Sequence, residues 1–61
     1  MTRYFVIAKK WSEDEQAQVD YIAGEFPNYN LAKIFKDAYN HEYRTHAIIL
    51  EEANLVNHWG R

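Results

Sequence analysis

Hydrophobic and polar positions divide this chain into four segments. Arg3 to Lys10 (RYFVIAKK) is rich in aromatic and β-branched residues and reads as a strand or an extended arm. Ser12-Glu13-Asp14-Glu15 has the form of a capping box, in which the serine oxygen accepts from the Glu15 amide and the Glu15 carboxylate reaches back. The three acids would also sit at the positive end of the helix dipole. Val19, Ile22, Ala23 and Phe26 then follow at i, i+3, i+4 and i+7, which predicts a helix over about 13–25, closed by Pro27.

Asn28 or Asn30 can cap a second helix. Its stripe is Leu31, Ile34, Phe35, Ala38 and Tyr39, with Lys33, Lys36 and Asp37 on the other side and an end near Asn40. The last third admits two readings. Thr45 can cap a helix from His46 to about Val56, with Ile48, Ile49, Glu52, Ala53, Leu55 and Val56 on one side. Tyr43 to Leu50 is also strand-like, and residues 44–50 could pair with the N-terminal strand in a small α+β fold. Periodicity alone leaves both open.

Sixty-one residues make one small domain, divided by this reading into a basic arm or strand (1–11), a helical core (12–56) and a tail (57–61). With 48% apolar residues the chain should fold, although a domain of this size is only marginally stable alone. It has no cysteine, which excludes disulfide staples, thiolate metal sites and a cysteine nucleophile, and favours an intracellular, cytoplasmic location. Phe5 to Ala8 is too short for a signal-peptide core or a membrane span, so no membrane association is expected. Starting at Met1 without a tag, the chain reads as a complete small gene product.

Charge refines the picture. Residues 1–11 carry Arg3, Lys9 and Lys10 and no acid; residues 12–26 carry Glu13, Asp14, Glu15, Asp20 and Glu25 and no base. The whole chain has a net charge of −2. A basic arm followed by an acidic helix is therefore the expected layout.

The stretch from Lys10 to Leu55 resembles the Myb/SANT-like helix-turn-helix family. The resemblance rests on Trp11-Ser12-Glu13-Asp14-Glu15, Phe26-Pro27-Asn28, Leu31-Ala32-Lys33-Ile34-Phe35, Arg44-Thr45-His46-Ala47-Ile48 and Leu55. It implies a mainly α fold, a three-helix bundle around a small core that includes Trp11, with helix 3 as the recognition element. The chain departs from that family in lacking Lys or Arg between Thr45 and Gly60, where Glu51 and Glu52 stand instead. A strand followed by two helices also resembles ribbon-helix-helix dimers, in which two N-terminal strands pair.

DNA affinity comes largely from cations that neutralise phosphates, and a pI of about 5.8 is a poor footprint for it. The DNA-binding alternative uses Arg3, Lys9 and Lys10 as a backbone-tracking arm together with Arg44, with Asn54, Asn57 or His46 toward bases, in a monomer or in a homodimer through the N-terminal segment. A protein partner suits the acids better: SANT-type members with an acidic third helix are associated with protein contacts. Glu51, Glu52, His46, Asn54 and the terminal Trp59 are the candidate partner-binding residues.

Chemistry is poorly supported. Thr2, Ser12 and Thr45 are the only serine or threonine hydroxyls, and the last two are explained as caps. Adjacent Glu51 and Glu52 would point about 100° apart on a helix and so form no acid–base pair. His41, Glu42, His46 and His58 suggest a metal, but His41 and His46 are five apart and lack the i, i+4 histidine spacing of zinc helices. No catalytic residue, metal or cofactor is assigned. The expected protein is a small regulatory binding module that contacts a partner protein. The alternatives are a DNA-binding helix-turn-helix regulator and a small phage-type inhibitor of a host enzyme.

Overall fold

The computed structural model describes residues 2–59, and among these the side chains of all but Val56, His58 and Trp59. The elements run β1 (Tyr4–Ser12), β2 (Ala17–Phe26), α1 (Tyr29–Tyr43), β3 (Ile48–Glu51) and α2 (Glu52–Trp59). The strands form one antiparallel sheet in the order β2-β1-β3. This is an α+β fold, not the three-helix bundle that the family resemblance implies. The residues carrying that resemblance fall at a strand end and turn, a strand–helix junction, α1, the link after α1, and α2. The N-terminal segment is no arm outside a helical core, because β1 is the central strand with both edges filled. It therefore has no free edge for the two-chain ribbon of a ribbon-helix-helix dimer.

The predicted helix over 13–25 is instead a four-residue turn followed by β2. A β-bulge explains why the pattern misled. Val6 faces Gly24 while Ile7 faces Ile22, so Ala23 is an extra residue in β2. A regular strand would put Val19 and Phe26, seven positions apart, on opposite faces. The bulge restores both to the same face and so imitates a helical spacing. Gly24 also argues against a helix interior, where it costs about 1 kcal/mol relative to alanine. In the strand it is useful, since a Cβ there would come within 2.7 Å of the Phe26 ring. The Ser12 interaction expected of a capping box is half present, with the Glu15 N–H donating to Ser12 Oγ at 3.3 Å. Here it closes a hairpin rather than starting a helix. Gln16, in the left-handed region at φ 53°, completes that turn and donates from Nε2 to the Glu13 carbonyl.

α1 is where the pattern places it, although longer, and Asn28 is its N-cap: Oδ1 accepts from the Leu31 N–H at 2.9 Å. The buried side of α1 is rotated from the expected stripe. Ala32, Phe35 and Tyr39 pack on the sheet against Val6, Ala8, Tyr4, Tyr21, Ala23, Phe26 and Ile49. Leu31 and Ile34 remain 46% and 67% exposed. A sheet surface lined with bulky rings admits the helix most closely at a small residue, and Ala32 supplies it. Phe26, Phe35, Tyr39 and Tyr43 form a run of ring contacts with centroids 4.7–5.6 Å apart, and the Tyr21 and Tyr39 hydroxyls are hydrogen-bonded.

The ambiguous last third resolves as both elements, each shorter than foreseen. Ile48, Ile49 and Leu50 pair with Ile7, Val6 and Phe5, so β-branched residues complete the sheet rather than a helix face. The helix begins only at Glu52, whose N–H donates to the Arg3 carbonyl at 2.9 Å. Thr45 caps no helix; its N–H donates to the Asn40 carbonyl in the turn after α1. Arg44 ends α1 at φ 53°, ψ 49°, a left-handed position that glycine occupies at lower cost. Arg44→Gly should therefore raise stability by about 1 kcal/mol. A urea midpoint that stays put or falls would contradict this.

Candidate functional site

Alternation along β1 sends Tyr4, Val6 and Ala8 toward α1, and Phe5, Ile7, Lys9 and Trp11 to the other side. Register then places a row across all three strands of that second side, Ile22–Ile7–Ile48, with Phe5 and Leu50 paired beside it. α2 touches only β1 and β3, and the two outer members of the row stay open among the described residues: Ile22 is 45% exposed and Ile48 47%. Ile7, flanked by both, is 3% exposed. Further along β1, Trp11 is 53% exposed.

Charged pairs bound this apolar centre. At one end Arg3 Nη1 meets Glu25 Oε2 at 2.6 Å; at the other, Lys9 Nζ meets Asp20 Oδ1 at 2.7 Å. Both are cross-strand pairs on the open face, worth at most about 1 kcal/mol each given the exposure of their cations. Their clearer effect is to favour this register. The open face thus has an apolar centre, ion pairs at its two ends and an exposed tryptophan beyond them.

A shallow cleft of about 280 Å3 lies on the α1 side, lined by Phe35, Ala38, Tyr39, Glu42 and Tyr43. It holds one carboxylate and no cluster of convergent polar groups. Elsewhere on α1, Lys33 donates to Asp37 at 3.0 Å; that hydrogen bond holds the Asp37 carboxyl below its ordinary range and raises the lysine. The sign follows directly. Asp37's contribution is present at neutral pH and fades as pH falls through its lowered value, while that of Lys33 is lost only as pH rises through its raised one. This pair belongs to α1 and not to the open face.

The partner-binding residues expected from sequence do not form the surface foreseen. With no continuous helix from 46 to 56, Glu51 ends β3 opposite Tyr4, Glu52 opens α2 and Asn54 is exposed on α2. His46 lies in the link before β3, beyond its far end. The side chain of Trp59 lies outside the described residues. The cations of the DNA alternative do not converge either. Arg3 and Lys9 are ion-paired, and Lys10 lies on the α1 side with Nζ 5.3 Å from the Tyr21 ring centroid. Arg44 caps α1, while Asn54 and Asn57 are exposed on α2. Trp11, expected in the core, is on the open face.

Ile22 was missed from sequence, being assigned to a helix face, while Ile48 was left open between a helix face and a strand paired with the N-terminal segment. A signal for the β1 and β3 members of the row existed. Phe5-Val6-Ile7-Ala8 and Ile48-Ile49-Leu50 are unbroken apolar runs, the mark of strands covered on both faces, where a half-exposed strand alternates. Among the described residues, no helix is long and apolar enough to cross a membrane. No protein-family model, no curated protein and no solved structure matches this chain.

Proposed function

We propose that this chain is a small non-catalytic binding module whose open sheet face docks a partner protein. The observation that carries the reading is the sequence of β1 and β3: both are apolar on both faces, yet α1 covers only one. Antiparallel sheets with a solvated face normally alternate apolar and polar residues, and these two strands do not. The ion pairs at the two ends of the face supply the polar rim, and Trp11 supplies an exposed aromatic anchor. The acidic helix over 46–56 expected from the sequence is not the docking element, because Glu51 ends β3 and only Glu52 enters the shorter α2.

Site-specific photo-crosslinking in the native cell tests this. A photoreactive phenylalanine analogue in place of Ile22 or Ile48 should give one crosslinked protein partner, whereas the same analogue at Ile34 on α1 should give none. Crosslinks from position 34 alone would move the interface to α1. A random DNA duplex titrated at low salt addresses the nucleic-acid alternative. With Arg3 and Lys9 already paired, no anisotropy change is expected up to tens of micromolar protein. Saturable binding there would contradict the proposal.

A further inference from the structure

We infer that the occupant of the open face is a basic amphipathic helix of another protein, lying along the strands with cationic residues at the β1–β2 hairpin tip; this rests on the docking role proposed above. Width selects a helix. Three strands about 4.8 Å apart make a face about 10 Å across, which is the diameter of one helix with its side chains. A second sheet would overhang it. β1 has nine residues, or about 30 Å of strand, which a helix of about 20 residues would span. The other side of the same sheet is already covered in this manner by α1, a single helix of 15 residues.

Charge selects the partner's sign. Arg3 and Lys9 are each neutralised by a β2 carboxylate, so the face itself attracts neither sign. Directly beyond Trp11, the turn carries Glu13, Asp14 and Glu15, all exposed and none ion-paired among the described residues. The remaining described cations lie elsewhere: Lys10 over Tyr21, Lys33 and Lys36 against Asp37, and Arg44 at the end of α1. A second copy of the chain would bring an equally acidic tip and, among the described residues, no unpaired cation on its own open face. A cationic helix end would meet three carboxylates at the rim, where complementary charge chiefly sets orientation and on-rate.

Two synthetic 18-residue helices with the same leucine stripe test the inference, one with lysine and one with glutamate on its polar positions. They are titrated onto Trp59→Phe protein, in which Trp11 is the remaining tryptophan, and the Trp11 emission is followed. The lysine helix should shift that emission to the blue and bind about tenfold more tightly than the glutamate helix. Glu13→Gln with Asp14→Asn and Glu15→Gln should bring the two within about twofold, and Ile22→Thr with Ile48→Thr should abolish both. Equal binding of the two helices would overturn the basic partner while leaving the face intact. Binding of neither, together with an absence of crosslinks from position 22 or 48, would overturn the docking role itself. A chain that sediments as a dimer with Trp11 already shielded would assign the face to a second copy and overturn the inference.

Discussion

Asn40→Leu should lower the melting temperature by about 10–25 °C, the largest loss expected from any single polar side chain in this protein. Asn40 lies in the last turns of α1, and its amide clamps the chain that leads into β3. The Ala47 N–H donates to Asn40 Oδ1 at 2.7 Å, and Asn40 Nδ2 donates to the Ala47 carbonyl at 3.3 Å. Ala47 is 5% exposed and belongs to the core cluster, so water cannot readily replace either partner. Leaving a buried backbone group unpaired costs about 1–3 kcal/mol, and two such groups give a total of about 2–4 kcal/mol after partial relaxation. A 61-residue domain has only about 3–9 kcal/mol in total. Asn40→Asp keeps the acceptor for the Ala47 N–H but sets a carboxylate oxygen against the carbonyl, so it should fall between wild type and Asn40→Leu. A shift of under about 3 °C in Asn40→Leu, measured by circular dichroism, would mean the clamp contributes little.

The second large effect concerns binding, not folding. Ile22→Thr with Ile48→Thr keeps β-branched side chains with good strand preference while removing apolar surface from the open face. Both isoleucines are already about half exposed, so stability should change by less than about 1 kcal/mol. Partner affinity should weaken by about 2–3 kcal/mol, or roughly 30- to 150-fold, through lost burial and the cost of desolvating two hydroxyls. Calorimetric titration of the crosslinked partner, once purified, measures the loss. Undiminished affinity in a folded double variant would remove the central row from the interface.

Which features were legible in the sequence follows from the range of the forces that set them. α1 was legible because an N-cap, a helical apolar spacing and a preceding proline are local signals. Its rotation was not, because the choice between Ala32 and Leu31 or Ile34 as the buried side is made by rings on the sheet. β2 was misread because one bulged residue, Ala23, converts a period of two into a spacing that a helix also satisfies. The Ser12–Glu15 hydrogen bond was foreseen and forms, but the same local bond serves a helix start and a hairpin turn equally well. At the candidate site, Arg3 and Lys9 could be seen as cations, yet their neutralisation by Glu25 and Asp20 depends on pairing across 22 and 11 residues. Ile22, Ile7 and Ile48 become one row only through the register of three strands. The doubly apolar runs of β1 and β3 were the one trace of that row in the sequence itself.

Methyl and indole chemical shifts on addition of the purified partner test the docking claim most directly. The account predicts perturbation of the Ile7, Ile22 and Ile48 methyls and the Trp11 indole, with Val6, Ala8 and Ala32 on the α1 side left in place. Perturbation centred on Leu31, Ile34 and Tyr43, with the three isoleucines of the open face unmoved, would contradict it.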